Sequence, residues 1–459
     1  MRRLARTRPT IKGTDVMDGG KKSVRVITLG CSKNTVDTEH LLSRLEPVFE
    51  IVPEKEERPV DFLLLNTCGF IGDAKEESIQ AILRAAEAKK QGMVGKLMVF
   101  GCLSQRYMGQ LPDLIPEVDN WFGARDLSPV VKALGVTPDL SRENSRYQAG
   151  RRGAFAYLKI SEGCDRRCSY CAIPFIRGNH KSVPVESLVE EARELAAGGV
   201  KELILIAQDT TFYGLDLYGK RSLAALIREL SKIDGIEWIR IHYSYPADFP
   251  EDVLDEMALN PKVCKYLDIP LQHISDKVLG MMRRGVDGAW TRKLIGELRS
   301  RVPGVALRTT MIVGHPGEGK REFGELLDFV REAKFERLGA FAYSEEEGTY
   351  GARDYKDSVP AKEKRRRLSE LMTLQGEISL ACNEARVGSL ERVLVDDYID
   401  GALVCRSQYE SPEVDGEIIV MYSPEKFPGR NPESLVGNFL DVKITGAAEY
   451  DLEAEPIGE

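Results

Sequence analysis

The chain has 459 residues, of which 42% are apolar and 30% charged, and its formal net charge is −8. This composition excludes a largely disordered chain, and no uninterrupted run of about 18 apolar residues predicts a membrane span. A chain of this length is too long for one compact core, so we expect two to four domains.

The first residues, 1–23, are basic and no apolar segment follows them. We therefore expect a disordered tail rather than a secretory signal. Without an export signal, the expected location is the reducing cytoplasm. There, nine cysteines indicate metal binding or catalysis rather than a disulfide framework.

Residues 24–135 alternate short apolar runs with helical patterns. The runs VRVITLG, PVDFLLLNT and KLMVFG are predicted strands, and helical patterns such as DAKEESIQAILRAAEAKKQG lie between them. This alternation predicts a doubly wound parallel sheet, which makes the fold class α/β. Residues 136–150 are polar and rich in turn formers, so we expect a linker there.

Residues 151–385 repeat this alternation with six predicted strands. They are AFAYLKI, ELILIA, EWIRIH, KYLDI, VALRTTMIV and RLGAFAY. Six βα units are too few for a complete eight-stranded barrel, so we expect an open (β/α)6 partial TIM barrel. Residues 386–459 alternate apolar and polar residues between Gly and Pro breaks, which predicts a small antiparallel β-barrel.

Three cysteines of the second domain lie close together in the sequence, as C-x3-C-x2-C. Cys164, Cys168 and Cys171 follow the strand AFAYLKI and should therefore lie at the carboxyl end of a barrel strand, where barrel enzymes hold their active sites. A structural zinc site needs four ligands, and no fourth cysteine or histidine is nearby. Three thiolates instead suit a [4Fe–4S] cluster with one iron free of protein, rather than three structural thiols.

Three cysteines of the first domain are far apart in sequence but equivalent in topology. Cys31, Cys68 and Cys102 each directly follow a predicted strand, and the carboxyl ends of neighbouring parallel strands meet at one edge of the sheet. Each alone would be an ordinary buried thiol. Together they predict a second [4Fe–4S] cluster, whose free iron could hold an exogenous sulfur atom.

The C-x3-C-x2-C spacing, with Tyr170 before its last cysteine, resembles the radical S-adenosylmethionine (SAM) superfamily. The resemblance implies that the free iron binds SAM and that the reduced cluster splits it to a 5′-deoxyadenosyl radical. That radical can remove hydrogen from an unactivated carbon. Tyr170 is accordingly expected near the cofactor.

Two further segments are similar to SAM-binding elements of the superfamily. Gly198, Gly199 and Glu202 precede the strand ELILIA, and the alternative interpretation is a helix cap followed by a surface glutamate. Gly314 and Gly317 follow the fifth strand, and the alternative is a simple tight turn.

The three domains together resemble the methylthiotransferases, with a C-terminal domain similar to their TRAM domain. Within that family, LGCSKNTVDTEHL, YLKISEGCDRRCSYCAIPFIRGNHKS, YLDIPLQHISDKVLGMMRRG and SPEVDGEIIV resemble the branch that modifies a ribosomal protein. The tRNA-modifying relatives typically have Gly-Cys-Gln-Met-Asn where this chain has Gly-Cys-Ser-Lys-Asn. The chain departs from the pattern at Ser32, usually proline, and at Val183, usually arginine.

The resemblance implies that the enzyme adds a methylthio group to the β-carbon of an aspartate in the twelfth protein of the small ribosomal subunit. It implies two [4Fe–4S] clusters, SAM, an electron donor and a sulfur donor. The alternatives are a tRNA (adenosine) methylthiotransferase and a non-catalytic iron–sulfur scaffold or sensor. The sequence singles out no residue that would contact the substrate aspartate.

Charge is unevenly distributed along the chain. From Ala385 onward there are six Lys and Arg against 16 Asp and Glu, a net charge of −10, whereas the preceding residues sum to +2. RNA-binding surfaces are basic, so we expect this domain to attract a basic ribosomal protein rather than RNA. The alternative is that the acidic residues only aid solubility. Arg177 could neutralise cofactor charge and Lys33 could meet an anionic substrate, or both could simply be solvated.

Overall fold

The computed structural model describes residues 21–137, 139, 142, 144–149 and 154–457. Most of the tail predicted at 1–23 and part of the linker predicted at 136–150 lie outside these residues. Three large β-sheets follow one another along the described chain. They fall within the predicted ranges 24–135, 151–385 and 386–459, except that the first strand begins at Ser23. The domain boundaries themselves stay predictions.

A five-stranded parallel sheet forms the centre of the first domain. Its strands are β1 (Ser23–Thr28), β2 (Glu50–Val52), β3 (Val60–Thr67), β4 (Val94–Gly101) and β5 (Asn120–Trp121), in the order β2-β1-β3-β4-β5. Its helices are α1 (Ser32–Leu45), α2 (Gly72–Lys90), α3 (Cys102–Tyr107), α4 (Leu111–Leu114) and α5 (Ser128–Ala133).

Alternate residues of β3 face opposite sides of this sheet. Leu63 and Leu65 pack in one apolar core with side chains of α2, whereas Phe62 and Leu64 pack in a second core with side chains of α1 and α5. Helices therefore cover both faces, which confirms the doubly wound sheet. The sequence pattern does not predict β2 and β5, because two or three residues are too few to show a period.

A six-stranded parallel sheet forms the barrel domain. In chain order the strands are β6 (Phe155–Lys159), β7 (Ser161–Glu162), β8 (Lys181–Ser182), β9 (Glu202–Ile206), β10 (Trp238–Ile241), β11 (Val263–Asp268), β12 (Ala306–Val313) and β13 (Arg337–Ala342). The large sheet has the order β13-β12-β11-β10-β9-β6, while β7 and β8 form a separate antiparallel pair. All six predicted strands are present, and the open (β/α)6 partial barrel is confirmed.

The described residues of this domain contain ten helices, six of which contribute buried side chains to the core that packs against the sheet. They are α6 (Ile173–Arg177), α7 (Val185–Ala197), α8 (Leu215–Tyr218), α9 (Leu223–Ser231), α10 (Glu251–Leu259), α11 (Asp276–Met282), α12 (Gly288–Arg301), α13 (Lys320–Ala333), α14 (Tyr350–Asp354) and α15 (Ala361–Glu384). The main core joins fully buried strand residues such as Leu205 and Ile239 to helix residues such as Leu226 and Leu326. No helix in the described part of the chain combines the length and apolar character needed to cross a membrane.

The C-terminal β-domain is a closed five-stranded barrel. Its strands are β14 (Leu390–Ile399), β15 (Ala402–Arg406), β16 (Ile418–Met421), β17 (Phe439–Ala447) and β18 (Leu452–Pro456), closed in the order β14-β15-β16-β18-β17. Val393, Val395, Leu403 and Cys405 are fully buried inside it. The predicted barrel is confirmed. It is not wholly antiparallel, however, because β16 and β18 run parallel.

The loop of residues 407–417, between β15 and β16, contacts the barrel domain. Ser411 Oγ lies 2.8 Å from His242 Nε2, directly beyond β10. The hydroxyl of Tyr266, on β11, donates to Asp415 Oδ2 at 2.7 Å. The C-terminal β-domain is thus held against the barrel strands by buried polar contacts.

Candidate active site

The three cysteines of the first domain occupy the carboxyl ends of β1, β3 and β4, which are neighbours in the sheet. Cys31 caps the start of α1, Cys68 follows β3 and Cys102 begins α3. Burial, together with the nearby thiols of Cys31 and Cys102, raises the pKa of the Cys68 thiol to about 12. The structure therefore brings this predicted triplet together, with Cys31 exposed and the other two buried.

Glycines allow the loops that carry these cysteines to approach one another. Gly30 has φ +92°, and a Cβ there would lie 2.6 Å from the Cβ of Cys68. A Cβ on Gly69 would lie 2.7 Å from the backbone of Leu103. Any side chain at either position would push the loops apart, because interatomic contacts this short do not occur in folded proteins.

The cysteines of the barrel domain also lie side by side. Cys164, Cys168 and Cys171 form the loop between β7 and α6, where the amide of Cys164 donates to the carbonyl of Gly178 at 3.1 Å. Burial raises the pKa of the Cys164 thiol to about 12, with a contribution from Cys168. The pKa of Cys171 is likewise raised by burial and by the other two thiols. The structure brings this triplet together as predicted.

The donor chemistry of both triplets fits iron–sulfur clusters. Backbone amides donate to the cysteine sulfurs, from Phe70 to Cys68 and from Ile173 to Cys171. Such hydrogen bonds stabilise cluster-bound thiolates. Among the described residues, no group of three or more His, Cys, Asp or Glu side chains is arranged to hold a single metal ion. A [4Fe–4S] cluster differs from such a site, because three thiolates bind three separate iron atoms.

Two cationic and two aromatic side chains surround the second triplet. Arg284 Nη1 donates to Cys168 Sγ at 3.5 Å and to the hydroxyl of Tyr170 at 3.3 Å. Its guanidinium lies 4.1 Å from the ring centroid of Tyr245, and that of Arg166 lies 4.0 Å from it. Tyr170 thus has a partner within the protein, and its contact with a cofactor stays a prediction.

The interpretation of Gly198, Gly199 and Glu202 as SAM-binding residues is wrong. Gly198 caps the end of α7, and Glu202 begins β9, at the end of the sheet opposite the cysteines. Its buried carboxylate accepts hydrogen bonds from Arg240 at 2.6 Å and pairs with Arg406 at 2.8 Å. The glutamate is therefore part of the contact with the C-terminal β-domain. Residues that precede a barrel strand cannot reach the carboxyl end of the sheet.

Polar residues that follow β9, rather than those that precede it, face the second triplet. Gln208 Nε2 donates to Glu162 Oε1 at 3.0 Å, and Arg166 Nε donates to Asp209 Oδ2 at 2.9 Å. Sequence reasoning missed these residues. The signal was the polar pair Gln-Asp directly after the apolar run ELILIA.

Gly314 and Gly317 do lie at the correct end of the sheet, beyond β12. A Cβ on Gly314 would lie 2.4 Å from Cγ of Lys364, and one on Gly317 would lie 2.3 Å from Sδ of Met281. Close packing against α15 and α11 therefore explains both glycines. Their contact with SAM stays a prediction.

A buried ion network joins the two triplets across the domain boundary. Arg177 of α6 is 4% exposed, and its Nη1 donates to Asp37 Oδ2 at 2.8 Å and to Glu162 Oε2 at 3.1 Å. Lys159 Nζ contacts both carboxylates as well. Burial alone would raise the pKa of Asp37, but Lys159 and Arg177 hold it below its usual value. Sequence reasoning missed Asp37, Lys159 and Glu162, because their pairing depends on how the domains dock.

Arg177 also contacts the first triplet directly. Its Nε donates to Cys102 Sγ at 3.2 Å, and its Nη2 donates to Asn34 Oδ1 at 2.7 Å. Of the two interpretations of Arg177, solvation of its loop is therefore wrong. The guanidinium places a positive charge beside a cysteine of the first triplet.

Comparisons with known proteins match all three domains. Residues 158–330 match the Radical SAM superfamily, residues 23–123 match Uncharacterized protein family UPF0004 and residues 387–457 match the TRAM domain. The chain is 50% identical over 437 residues to Ribosomal protein uS12 methylthiotransferase RimO of Porphyromonas gingivalis, covering 95% of this chain and 99% of that protein. It is 48% identical over 436 residues to the protein of that name from Bacteroides thetaiotaomicron, covering 95% and 98%.

Solved structures resemble the chain in fold. The radical SAM methyltransferase TsrM from Kitasatospora setae, with cobalamin and a [4Fe–4S] cluster bound, has a TM-score of 0.53 at 13% identity. That comparison covers 91% of this chain and 87% of TsrM. At this identity the likeness shows the fold alone.

Proposed function

The chain belongs to the RimO family of radical SAM methylthiotransferases, and from this premise we propose that it adds a methylthio group to the β-carbon of an aspartate in ribosomal protein uS12. The observation that carries the proposal is identity of 48–50% with RimO proteins over 95% of the chain. The alternatives of a tRNA methylthiotransferase and a non-catalytic scaffold are not favoured, because these relatives are named uS12 methylthiotransferases.

The proposed cofactors are two [4Fe–4S] clusters and SAM. Cys31, Cys68 and Cys102 would hold one cluster, and Cys164, Cys168 and Cys171 the other. Three thiolates leave one iron of each cluster free for a further ligand. When bound, the second cluster and SAM supply the one-electron chemistry that generates a carbon radical, and the first cluster supplies a site for sulfur.

The chain's own residues would orient and stabilise these groups. Backbone amides and the guanidinium groups of Arg177 and Arg284 offset the negative charge of bound thiolates. The network of Asp37, Lys159 and Glu162 fixes α1 of the first domain against the barrel domain.

The acidic C-terminal β-domain supports a basic protein substrate. From Ala385 onward the net charge is −10, which would attract a basic ribosomal protein and repel nucleic acid. The chemistry further requires a one-electron donor and a sulfur donor. Because ribosomal proteins are made and assembled in the cytoplasm, we propose that the enzyme acts there.

The test is methylthio transfer by the anaerobically reconstituted enzyme. With SAM, a reductant and a sulfur source, uS12 should gain the mass of one methylthio group in place of hydrogen, and tRNA should not. Replacing Cys164, Cys168 and Cys171 with alanine should abolish 5′-deoxyadenosine formation and leave about four of roughly eight irons bound. Modification of tRNA but not of uS12 would contradict the proposed substrate. Continued SAM cleavage by the triple variant would contradict the ligand assignment.

A further inference from the structure

Lys33 lies at the boundary between the first domain and the carboxyl end of the barrel. It is in the first turn of α1, two residues after Cys31, and it is only 7% exposed. Its Nζ lies 2.9 Å from the ring centroid of Tyr243. Tyr243 lies two residues beyond the end of β10 and has a positive φ of 55°. The lysine therefore carries its charge to the side of α1 that faces the barrel opening.

Among the described residues this ammonium has no carboxylate partner, and it lies over the Tyr243 ring instead. The half-buried Lys159 and the buried Lys364 are paired differently. Lys159 contacts Asp37 and Glu162, and Lys364 donates to Asp357 at 2.6 Å. A buried charge without a counter-ion is costly. An aromatic face offsets only part of that cost.

The carboxylates around this region are engaged elsewhere. Asp37, one turn further along α1, is held by Lys159 and Arg177. Asp268, at the end of β11, accepts from Arg308 Nη1 at 2.9 Å. Neither of these two carboxylates neutralises Lys33. Its ammonium can therefore bind an anion from outside the chain.

The start of α1 adds a second positive contribution. Cys31 at its N-cap makes no side-chain capping bond, and the first turn contains no acidic residue. The partial positive charge of a helix N-terminus favours anions, carboxylates included. The N-terminus of the 14-residue helix α1 and a buried, unpaired ammonium thus lie close together, next to the exposed Cys31.

We propose that Lys33 binds the carboxylate of the substrate's aspartyl side chain, an inference that rests on the proposed function. In aspartate the β-carbon is bonded directly to the carboxylate carbon. If the carboxylate binds Lys33, the β-carbon is held one bond from the carboxylate carbon. It would then lie near the start of α1, where Cys31 of the first triplet is located. Lys33 is thus a positioning and specificity residue for an acidic side chain.

The test compares two synthetic peptides with the sequence around the modified residue of uS12, one with aspartate there and one with asparagine. Their affinities for reconstituted enzyme are measured by calorimetry without reductant, so that no turnover occurs. The wild type should bind the aspartate peptide about 10- to 100-fold more tightly, the range for a hydrogen bond to a charged group. Lys33→Met should lose that preference, and Lys33→Arg should keep part of it.

Lys132→Met, which changes an exposed lysine of α5, is the matched control and should behave as wild type. Iron content is measured for each variant. If Lys33→Met keeps the preference for aspartate, or loses the iron of the first triplet, the inference is overturned and Lys33 serves the fold or the cluster. In a separate assay with SAM, a reductant and a sulfur source, a wild type that leaves full-length uS12 unmodified would contradict the proposed function, and this result is distinguishable from the peptide affinities.

Discussion

Arg177 of the barrel domain donates a hydrogen bond from Nε to Sγ of Cys102 in the first domain, at 3.2 Å. The same guanidinium contacts Asp37 of α1 and Glu162 of β7. One buried side chain therefore links the cysteine loop of one triplet to a cysteine of the other. The electronic environment of a cluster bound by the first triplet would therefore depend on the same residue as the docking of the two domains.

We expect Arg177→Met to lower the reduction potential of the first cluster. A positive charge and a hydrogen bond at the Cys102 sulfur stabilise the reduced cluster, which is the more negative form. The substitution removes both interactions, so the reduced form becomes less favourable. A redox titration followed by electron paramagnetic resonance measures this, with the second cluster as internal reference. Arg84→Met, which changes an exposed arginine of α2, is the control. An unchanged difference between the two cluster potentials would refute the role of Arg177.

Glu202→Gln should lower the free energy of unfolding without changing the affinity for SAM. Glu202 is fully buried between Arg240 and Arg406 at the end of β9 away from the cysteines. Neutralising it leaves buried guanidinium groups without their counter-ion, which costs about 3–5 kcal/mol in the free energy of unfolding. Denaturant unfolding and equilibrium SAM binding are measured on one preparation. Weaker SAM binding with unchanged stability would contradict the structural assignment and support Glu202 as a SAM-binding residue.

The length of a strand and its position in a parallel sheet determine which parts of this fold and site the sequence predicts. Long buried strands such as β3 are predictable because their apolar runs persist for eight residues. The two triplets are predictable because each cysteine follows a strand, and parallel strands end at a common edge. Glu202 was misplaced because a motif beside a strand does not say which end of the strand it occupies. The contact of Arg177 with Cys102 depends on how two domains dock, which no local pattern records.

Acid should weaken the contact that Glu410 makes between the C-terminal β-domain and the barrel domain. Burial alone would raise the pKa of the Glu410 carboxyl, but Arg386 and Arg337 lower it to about 2. The stabilisation is complete above the usual pKa of 4.5 and is lost as the pH falls through about 2. Unfolding in urea is compared for wild type and Glu410→Gln across this range.

The Glu410→Gln variant should be less stable than wild type by about 3–5 kcal/mol at neutral pH, because the buried Arg337 and the half-buried Arg386 lose a partner. The difference should shrink as the pH falls toward about 2. Glu433→Gln, at an exposed position of the same domain, is the control and should match wild type at every pH. A difference that does not depend on pH would mean that Glu410 acts through packing rather than charge.

Binding of uS12 should depend on the acidic surface of the C-terminal β-domain. Replacing exposed Glu425 and Glu433 with lysine removes two negative charges and adds two positive ones. Because exposed charge pairs contribute about 0.2–1 kcal/mol each, loss of two of them should lower the affinity for uS12 by about 2- to 30-fold at low salt. The loss should diminish as added salt screens both proteins. Affinity for a short peptide that reaches only the active site should be unchanged, which separates surface attraction from recognition at Lys33. If full-length uS12 binds wild type and variant equally well at low salt, the acidic residues serve solubility, and the substrate must be selected at the active site alone.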